Sequence, residues 1–278
     1  MSLHNTHSKR EQMYAQFEQL KAHATTLARP GELISGHWMS EESHFARFTK
    51  GLIRQSGAVS QRELNLTLTA EQRRASLTLT LCGVFEQDRT RVERALERLR
   101  EFYAAVNVRI GEVTYDDISE EFRTTDAGSM PNSVLHQIYA QNQYSTGVAL
   151  FFVERITSPF GGGAIGGIAG GTPGPSLVPS TPRSGVVVAT EVEPDARAIG
   201  HIMGHETGHF LGLYHTSEML VQNTHDQLDD TPQGQEGNTN LMFPTVTAGD
   251  ASLSQDQGWV MRRNMNVFPD HLASEGAE

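Results

Sequence analysis

Residues 205–215 read HETGHFLGLYH, and this stretch constrains the chain more than any other. On an α-helix, His205 and His209 lie about 40° apart around the axis and about 6 Å apart along it, so both imidazoles can reach one metal ion. On a continuous helix, His215 would lie about 240° round from His209. The chain must therefore leave the helix between them, and Gly212 can adopt the left-handed conformation that ends helices. The spacing predicts a helix that ends near Gly212 and a zinc ion held by three histidines.

Glu206 follows the first histidine directly, a position that suits a general base beside a metal ion better than a ligand. The alternative is a coincidental cluster in a chain with 12 histidines among 278 residues. Five fixed positions are, however, far more specific than a bare H-E-x-x-H. His201 lies one turn earlier and is predicted to support the site or simply to be helical, since a fourth histidine would close the open position that catalysis needs. His225 is predicted to be exposed.

The pattern H-E-x-x-H-x-x-G-x-x-H resembles the zinc helix of the metzincin clan of metalloproteases, whose members carry a methionine turn downstream. Met242, in NTNLMFPTV, matches that turn, and the resemblance implies an apolar floor beneath the imidazoles. The segments GLYHT and HDQLDDTP are similar to the pappalysin and ulilysin group. This resemblance spans about residues 76 to 268. The chain departs from the pattern by lacking cysteines around this loop and by having Pro244 where other metzincins place a tyrosine, so no tyrosine ligand is expected.

The resemblance implies an α/β (α+β) catalytic domain with a mixed, mostly parallel twisted sheet. It also implies a zinc-binding active-site helix and a small irregular C-terminal subdomain. The N-terminal helices that precede this domain are predicted from periodicity alone, outside the resemblance. The implied activity is that of a zinc-dependent endopeptidase, a hydrolase that uses a zinc-activated water and Glu206 as general base. Its partner would be a peptide or protein substrate lying extended along a sheet edge. Asp226, Asp229 and Asp230 offer oxygen ligands for a calcium ion, although a solvated acidic loop is equally compatible with them.

Two other functions are compatible with the same residues. The first is a catalytically silent, zinc-containing peptide-binding module, which three ligands and an adjacent carboxylate disfavour because structural zinc normally has four protein ligands. The second is a latent protease blocked by its N-terminal segment. That segment contains no cysteine, so a block would have to be steric or use another side chain.

The hydrophobic pattern predicts strands and helices in alternation from residue 61 onward. Two alternating stretches, ELNLTLT and ASLTLTLCGVF, are predicted strands joined across AEQRR. Thr90 and Glu93 form a capping-box pattern before a helical stripe. A strand at VNVRIGEVTY, a helix at SVLHQIYAQN and strands at GVALFFVERI and GVVVAT follow. This order predicts a largely parallel sheet. Ser254 and Gln257 form a second capping box before a closing helix.

The domain organisation predicted from these patterns has two parts. Residues 1–60 carry helical periodicity, from residue 8 to 28 and again from Ser40, and are predicted to be an accessory layer or a pro-segment. Residues 61–278 form the protease-like domain, divided into subdomains at 61–215 and 216–278. Residues 159–185 are rich in glycine and proline but lack the Lys-Ser/Thr ending of a phosphate-binding Walker motif. They are predicted to be a long mobile surface loop that could border the substrate cleft.

Composition excludes several classes of function. The net charge of −11 disfavours binding to nucleic acid or anionic membranes. No apolar run approaches the roughly 20 residues of a membrane span. The N-terminal stretch lacks a secretory h-region, so the chain is either cytosolic or begins after a removed signal, whereas the family resemblance favours a secreted or periplasmic protein. The single cysteine, Cys82, is predicted to be an inert buried thiol.

Overall fold

The structure, a computed structural model, describes residues 75–128, 133–143, 147–158, 165–176, 178–191, 195–217, 225–245 and 249–269. The helices predicted at residues 8–28 and from Ser40, and the strand predicted at ELNLTLT, lie outside the described residues. The proposed boundary near residue 60 therefore stays a prediction. Among the described helices, none is long and apolar enough to cross a membrane.

The described part of the chain is a mixed α/β fold built on a mostly parallel sheet. Its strands run in the order β2-β1-β4-β7-β6, and β8 also pairs with β1. The four strands from β2 to β7 are mutually parallel, whereas β6 and β8 are antiparallel to their neighbours. A separate two-stranded sheet joins β3 and β5. The strands are β1 (Ala75–Cys82), β2 (Val108–Asp116), β3 (Thr124–Asp126), β4 (Val148–Val153), β5 (Arg155–Thr157), β6 (Gly167–Ala169), β7 (Val186–Ala189) and β8 (Val267–Pro269).

Helices cover both faces of the sheet, which is why the central strands are apolar throughout. Every residue of β4 and β7 is buried, as expected for parallel strands between two layers. The four α-helices are α1 (Arg89–Ala104), α2 (Val134–Ala140), α3 (Ala196–Phe210) and α4 (Gln255–Arg262). The stripe predicted on α1 is confirmed as core, since Val92, Leu96, Leu99 and Tyr103 are all buried. Residues of α1 and α3 belong to one apolar cluster, and residues of α2 belong to a second.

Two local predictions are corrected by the structure. Thr90 does not cap α1, because the helix already begins at Arg89, after a 3-10 turn at Glu86–Asp88. Asp88 occupies the N-cap position, and its carboxylate instead bonds Arg91 and the hydroxyl of Thr190. The capping box of Ser254 and Gln257 on α4 is confirmed.

The glycine- and proline-rich segment is not simply a surface loop. Its described part contains β6 and then a stretch that packs on the end of α3. The Gly174 amide donates to the Phe210 carbonyl at 2.9 Å, and the Tyr214 hydroxyl donates to the Thr172 carbonyl at 3.3 Å. In the described part, glycine is needed where backbone lies against backbone or ring, as at Gly170 and Gly174, so there the composition reflects close packing.

Candidate metal centre

Helix α3 carries two of the predicted metal ligands, His205 and His209. It begins at an N-cap, Asp195, whose carboxylate accepts the Arg197 amide at 2.9 Å. Almost every residue of α3 is buried, because the helix lies between the sheet, α1 and the C-terminal segment. The Tyr103 hydroxyl of α1 donates to the Gly204 carbonyl at 2.9 Å, directly before His205. The helix that presents the ligands is therefore held along its length.

The chain leaves α3 at Gly212, as the spacing predicts. Gly212 has a φ of 106°. Its amide donates to the His209 carbonyl, and the Leu213 amide donates to the Gly208 carbonyl, both at 2.9 Å. These two bonds form a Schellman cap, which requires a left-handed residue at this position. The cap turns the chain so that His215 comes back to the two histidines of the helix.

The three Nε2 atoms of His205, His209 and His215 form a nearly equilateral triangle. The sides are 3.1 Å, 3.1 Å and 3.2 Å. A tetrahedral zinc ion with bonds of about 2.0–2.1 Å keeps its ligand nitrogens about 3.3–3.4 Å apart. Within the described residues, these three form the one group of histidine, cysteine or carboxylate side chains close enough to hold a metal ion. The spacing fits zinc.

Hydrogen bonds at the other ring nitrogens decide which tautomer the histidines adopt. His205 Nδ1 lies 2.7 Å from the Leu241 carbonyl, and His209 Nδ1 lies 2.7 Å from the Leu213 carbonyl. A carbonyl can only accept, so both Nδ1 atoms carry the proton and both Nε2 atoms present a lone pair. Carbonyl partners of this kind orient metal-binding histidines.

The same two rings are neutral at physiological pH. Burial and the neighbouring histidines lower the pKa of His205 well below its usual value, and burial followed by His215 lowers that of His209 to about 4. Two lone pairs therefore face each other at 3.1 Å with no proton between them. That arrangement is repulsive unless a cation lies among the nitrogens. The donor set thus fits a resident metal ion.

Glu206 lies between α3 and strand β6. A Cβ built on Gly167 would approach Glu206 Cγ to 2.6 Å, so only glycine allows the strand this close. The Ala169 amide donates to the Glu206 carboxylate. Burial raises the pKa of this carboxyl group to about 8, and the amide opposes the shift. A cation held by the neighbouring histidines would favour the ionised carboxylate and lower the pKa again.

Met242 lies in a turn that also orients His205. Its side chain is fully buried, and its Sδ would lie 2.6 Å from a Cβ built on Gly208, next to the second ligand. The Asn240 side chain accepts the Met242 amide at 2.8 Å, and the Thr216 amide donates to the Met242 carbonyl at 3.0 Å. The turn therefore packs under α3, and its role as a floor beneath the imidazoles stays a prediction.

The three aspartates proposed for calcium do not form a metal-binding group. Asp226 is buried and bonds the Thr231 hydroxyl and the Leu228 amide. Asp230 accepts the Ser254 hydroxyl at 2.7 Å and the Asp256 amide at 3.0 Å, at the start of α4. The carboxylates of Asp226 and Asp230 thus bond to neighbouring groups in the loop and at the start of α4. The calcium prediction receives no support.

The remaining predicted residues fall as follows. His201 is buried and meets the edge of Phe102 at a centroid distance of 5.7 Å, outside the triad. His225 is exposed, as predicted. Cys82 is buried at the end of β1, and burial raises the pKa of its thiol to about 12, so it is protonated at neutral pH.

Sequence reasoning missed the groups that orient the site. They are the Leu213 and Leu241 carbonyls, the Ala169 amide and the close approach of Gly167. Three of these four are backbone atoms, which no residue type marks. Gly167, within a glycine-rich run, was the one available signal, because glycine in a strand often marks a close backbone approach.

Comparison with known proteins gives structural similarity at low sequence identity. No family model matches the sequence, and no curated protein is a significant relative. Archaemetzincin from Methanopyrus kandleri is similar with a TM-score of 0.42 at 14% identity, over 68% of this chain and 96% of that chain. A zinc-dependent peptidase from Methanocorpusculum labreanum gives 0.34 at 12%, over 67% and 94%. Myroilysin gives 0.35 at 11%, over 67% and 82%. With TM-scores below 0.5, these similarities are too distant to assign a chemical function to this chain.

Proposed function

We propose that this chain is a zinc-dependent endopeptidase in which His205, His209 and His215 hold the metal and Glu206 is the general base. One observation carries the proposal. Three imidazole Nε2 atoms converge within 3.2 Å, and the carbonyl partners of His205 and His209 place the proton of each neutral ring on Nδ1, away from the centre. Three protein ligands leave a tetrahedral ion one open position, which is the mark of catalytic rather than structural zinc. When bound, zinc supplies Lewis acidity that makes a water molecule more acidic and polarises a substrate carbonyl.

Glu206 moves the proton in this proposal. Its carboxylate takes a proton from the attacking water and delivers it to the nitrogen of the leaving amine. Burial raises the proton affinity of the carboxylate, whereas the Ala169 amide and a cation on the histidines oppose that rise. The carboxylate is therefore ionised, as a base must be, and is held in place by the amide.

The substrate is proposed to lie along β6, the last strand of the main sheet among the described residues. The Ala189 amide donates to the Gly166 carbonyl, and the Gly170 amide donates to the Gly185 carbonyl. Antiparallel pairing alternates along a strand, so the backbone groups of residues 167 and 169 point away from β7. An extended peptide can pair with Gly167 at that outer edge, next to Glu206, whereas the Ala169 amide is already bonded to the Glu206 carboxylate.

The finer assignment, to the metzincin clan and within it to the pappalysin and ulilysin group, is also a proposal. The spacing of HETGHFLGLYH, the Schellman turn at Gly212 and the buried Met242 turn support the clan. The group rests on the similarity of GLYHT and HDQLDDTP alone.

The test compares wild-type protein with Glu206→Gln, both loaded with zinc, on an unfolded protein mixture read by mass spectrometry. The glutamine keeps the shape and can still accept the Ala169 amide, so zinc stoichiometry should be unchanged. We expect new internal cleavages in the wild type and a loss of about 10²–10⁴-fold in the variant. Equal cleavage by both would refute the role of Glu206. Stoichiometric zinc without any cleavage would instead indicate a binding module or a latent enzyme, and removing residues 1–60 separates those two.

A further inference from the structure

Strand β6 is held from the face opposite Glu206 by a buried tyrosine. Tyr139 lies on α2 and is 2% exposed, with its ring in the second apolar cluster. Its hydroxyl donates to the Ile168 carbonyl at 2.8 Å. A phenylalanine would fill the same space, so the hydroxyl is present for its hydrogen bond rather than for packing.

The bond from Tyr139 and the bond to Glu206 share one peptide group. The carbonyl of Ile168 and the amide of Ala169 belong to the same planar unit, and in a trans peptide they point in opposite directions. Tyr139 binds the oxygen on one side, while the Glu206 carboxylate accepts the N–H on the other. Ile168 already pairs with Val187 of β7 in the sheet, and the added bond from Tyr139 restrains the peptide plane further and polarises the N–H, which strengthens the bond to Glu206.

Two other observations support a link between these residues. Burial and, after it, the Glu206 carboxylate raise the pKa of the Tyr139 hydroxyl, so the two groups lie close enough to interact electrostatically. In addition, Gly167 brings the strand against Glu206 Cγ, which leaves the side chain little room to move if the peptide plane stays fixed.

We propose that Tyr139 is a positioning residue for Glu206, acting through the single peptide group between Ile168 and Ala169. The proposal rests on the function proposed above, in which Glu206 is the general base. Tyr139 touches neither substrate nor metal in this scheme. It adds a second restraint to the peptide whose amide holds the carboxylate.

The kinetic test uses Tyr139→Phe in the full chain, loaded with zinc, on a quenched peptide built around a cleavage site found in the digestion. We expect kcat to fall about tenfold, because a displaced catalytic group loses orientation, while KM changes less than about twofold. Thr125→Val is the control. It also removes a buried hydroxyl bonded to a backbone carbonyl, that of Asp126 at 3.2 Å, but in the separate two-stranded sheet of β3 and β5, away from β6 and α3. Equal losses of kcat in the two variants would mean a purely structural effect and overturn the proposal.

A second measurement does not depend on activity. Hydrogen exchange of the Ala169 amide, followed by NMR, reports its bond to Glu206 directly. We expect several-fold faster exchange in Tyr139→Phe and in Glu206→Ala, and no change in Thr125→Val. Wild-type exchange at Ala169 in Tyr139→Phe would overturn the proposal. If the wild type cleaves no peptide, the proposed function fails, while this exchange still shows whether Tyr139 holds the carboxylate.

Discussion

Replacing Gly212 by alanine tests whether the left-handed turn brings the third ligand back to the metal. At a φ of 106°, a residue with a Cβ is strained by about 1–3 kcal/mol. An added Cβ would meet Val260 Cγ1 at 3.5 Å and Pro173 Cβ at 3.9 Å, which are ordinary contacts. The substitution therefore changes backbone strain without a steric clash. Alanine also reduces the entropy of the unfolded chain, which offsets about 0.4–1 kcal/mol of the strain.

Two measurements report how the turn responds. If the turn holds, urea unfolding of the metal-free protein should show a net loss of about 1–2 kcal/mol. If the turn relaxes, Leu213 and His215 shift together. Zinc affinity, measured against a chelator, should then fall by about tenfold for each 1.4 kcal/mol of binding free energy that is lost.

Gly234→Ala is the control for this prediction. Gly234 has a φ of 60°, and its Cβ would meet no atom within 4 Å, so this variant carries a similar backbone strain. It should lose stability but keep the zinc affinity of the wild type. A Gly212→Ala protein with wild-type stability and wild-type affinity would refute the role of the turn, as would an equal loss of affinity in both variants.

Two further predictions concern the C-terminal segment. Burial raises the pKa of Asp226 from 3.8 to about 6, so the folded protein binds this proton more tightly than the unfolded chain. Protonation of Asp226 thus stabilises the native state below pH 4. This contribution to the free energy of unfolding, up to about 3 kcal/mol, is lost as the pH rises from about 4 through 6. Asp226→Asn, which can still accept from Thr231, should be more stable than wild type at pH 7 and similar below pH 4; parallel pH profiles of the urea midpoint would contradict this. Asn240→Ala should lower the free energy of unfolding by about 2–4 kcal/mol, because it leaves the Met242 amide and the Gln257 side-chain NH2 without the partner they have in the wild type. Calorimetry measures that loss, and a change below about 0.5 kcal/mol would show that these groups find water instead.

Local patterns predicted the parts of the fold that depend on local physics. The alternation of strands and helices from β1 to β7 follows from hydrophobic period and from the rule that parallel strands need crossover connections. The histidine triad and the departure of the chain from α3 at Gly212 follow from helix geometry, because a spacing of six residues cannot keep His215 on the face of His209.

The rest depends on atoms that are the same in every residue. No pattern distinguishes the Leu241 carbonyl or the Ala169 amide from other backbone groups, yet these orient His205 and Glu206. The glycine-rich segment was misread for a related reason. Glycine permits both open loops and close packing, and only the position of Gly167 against α3 decides between them. Thr90 matched a capping box that the turn at Glu86–Asp88 had already made unnecessary.

The C-terminal segment supports His205, the first of the proposed metal ligands, rather than merely closing the domain. The side-chain oxygen of Gln257 accepts a hydrogen bond from the Ser254 amide in the capping box of α4. The same side chain exchanges two hydrogen bonds with the side chain of Asn240. Asn240 in turn stands next to Leu241, whose carbonyl fixes the Nδ1 proton of His205. The start of α4 is therefore connected through two buried amides to the tautomer of a ligand more than forty residues earlier. Buried amides stabilise a fold only when all of their hydrogen bonds are made. A substitution that disrupts the start of α4 should therefore lower zinc affinity more than it lowers the stability of the sheet.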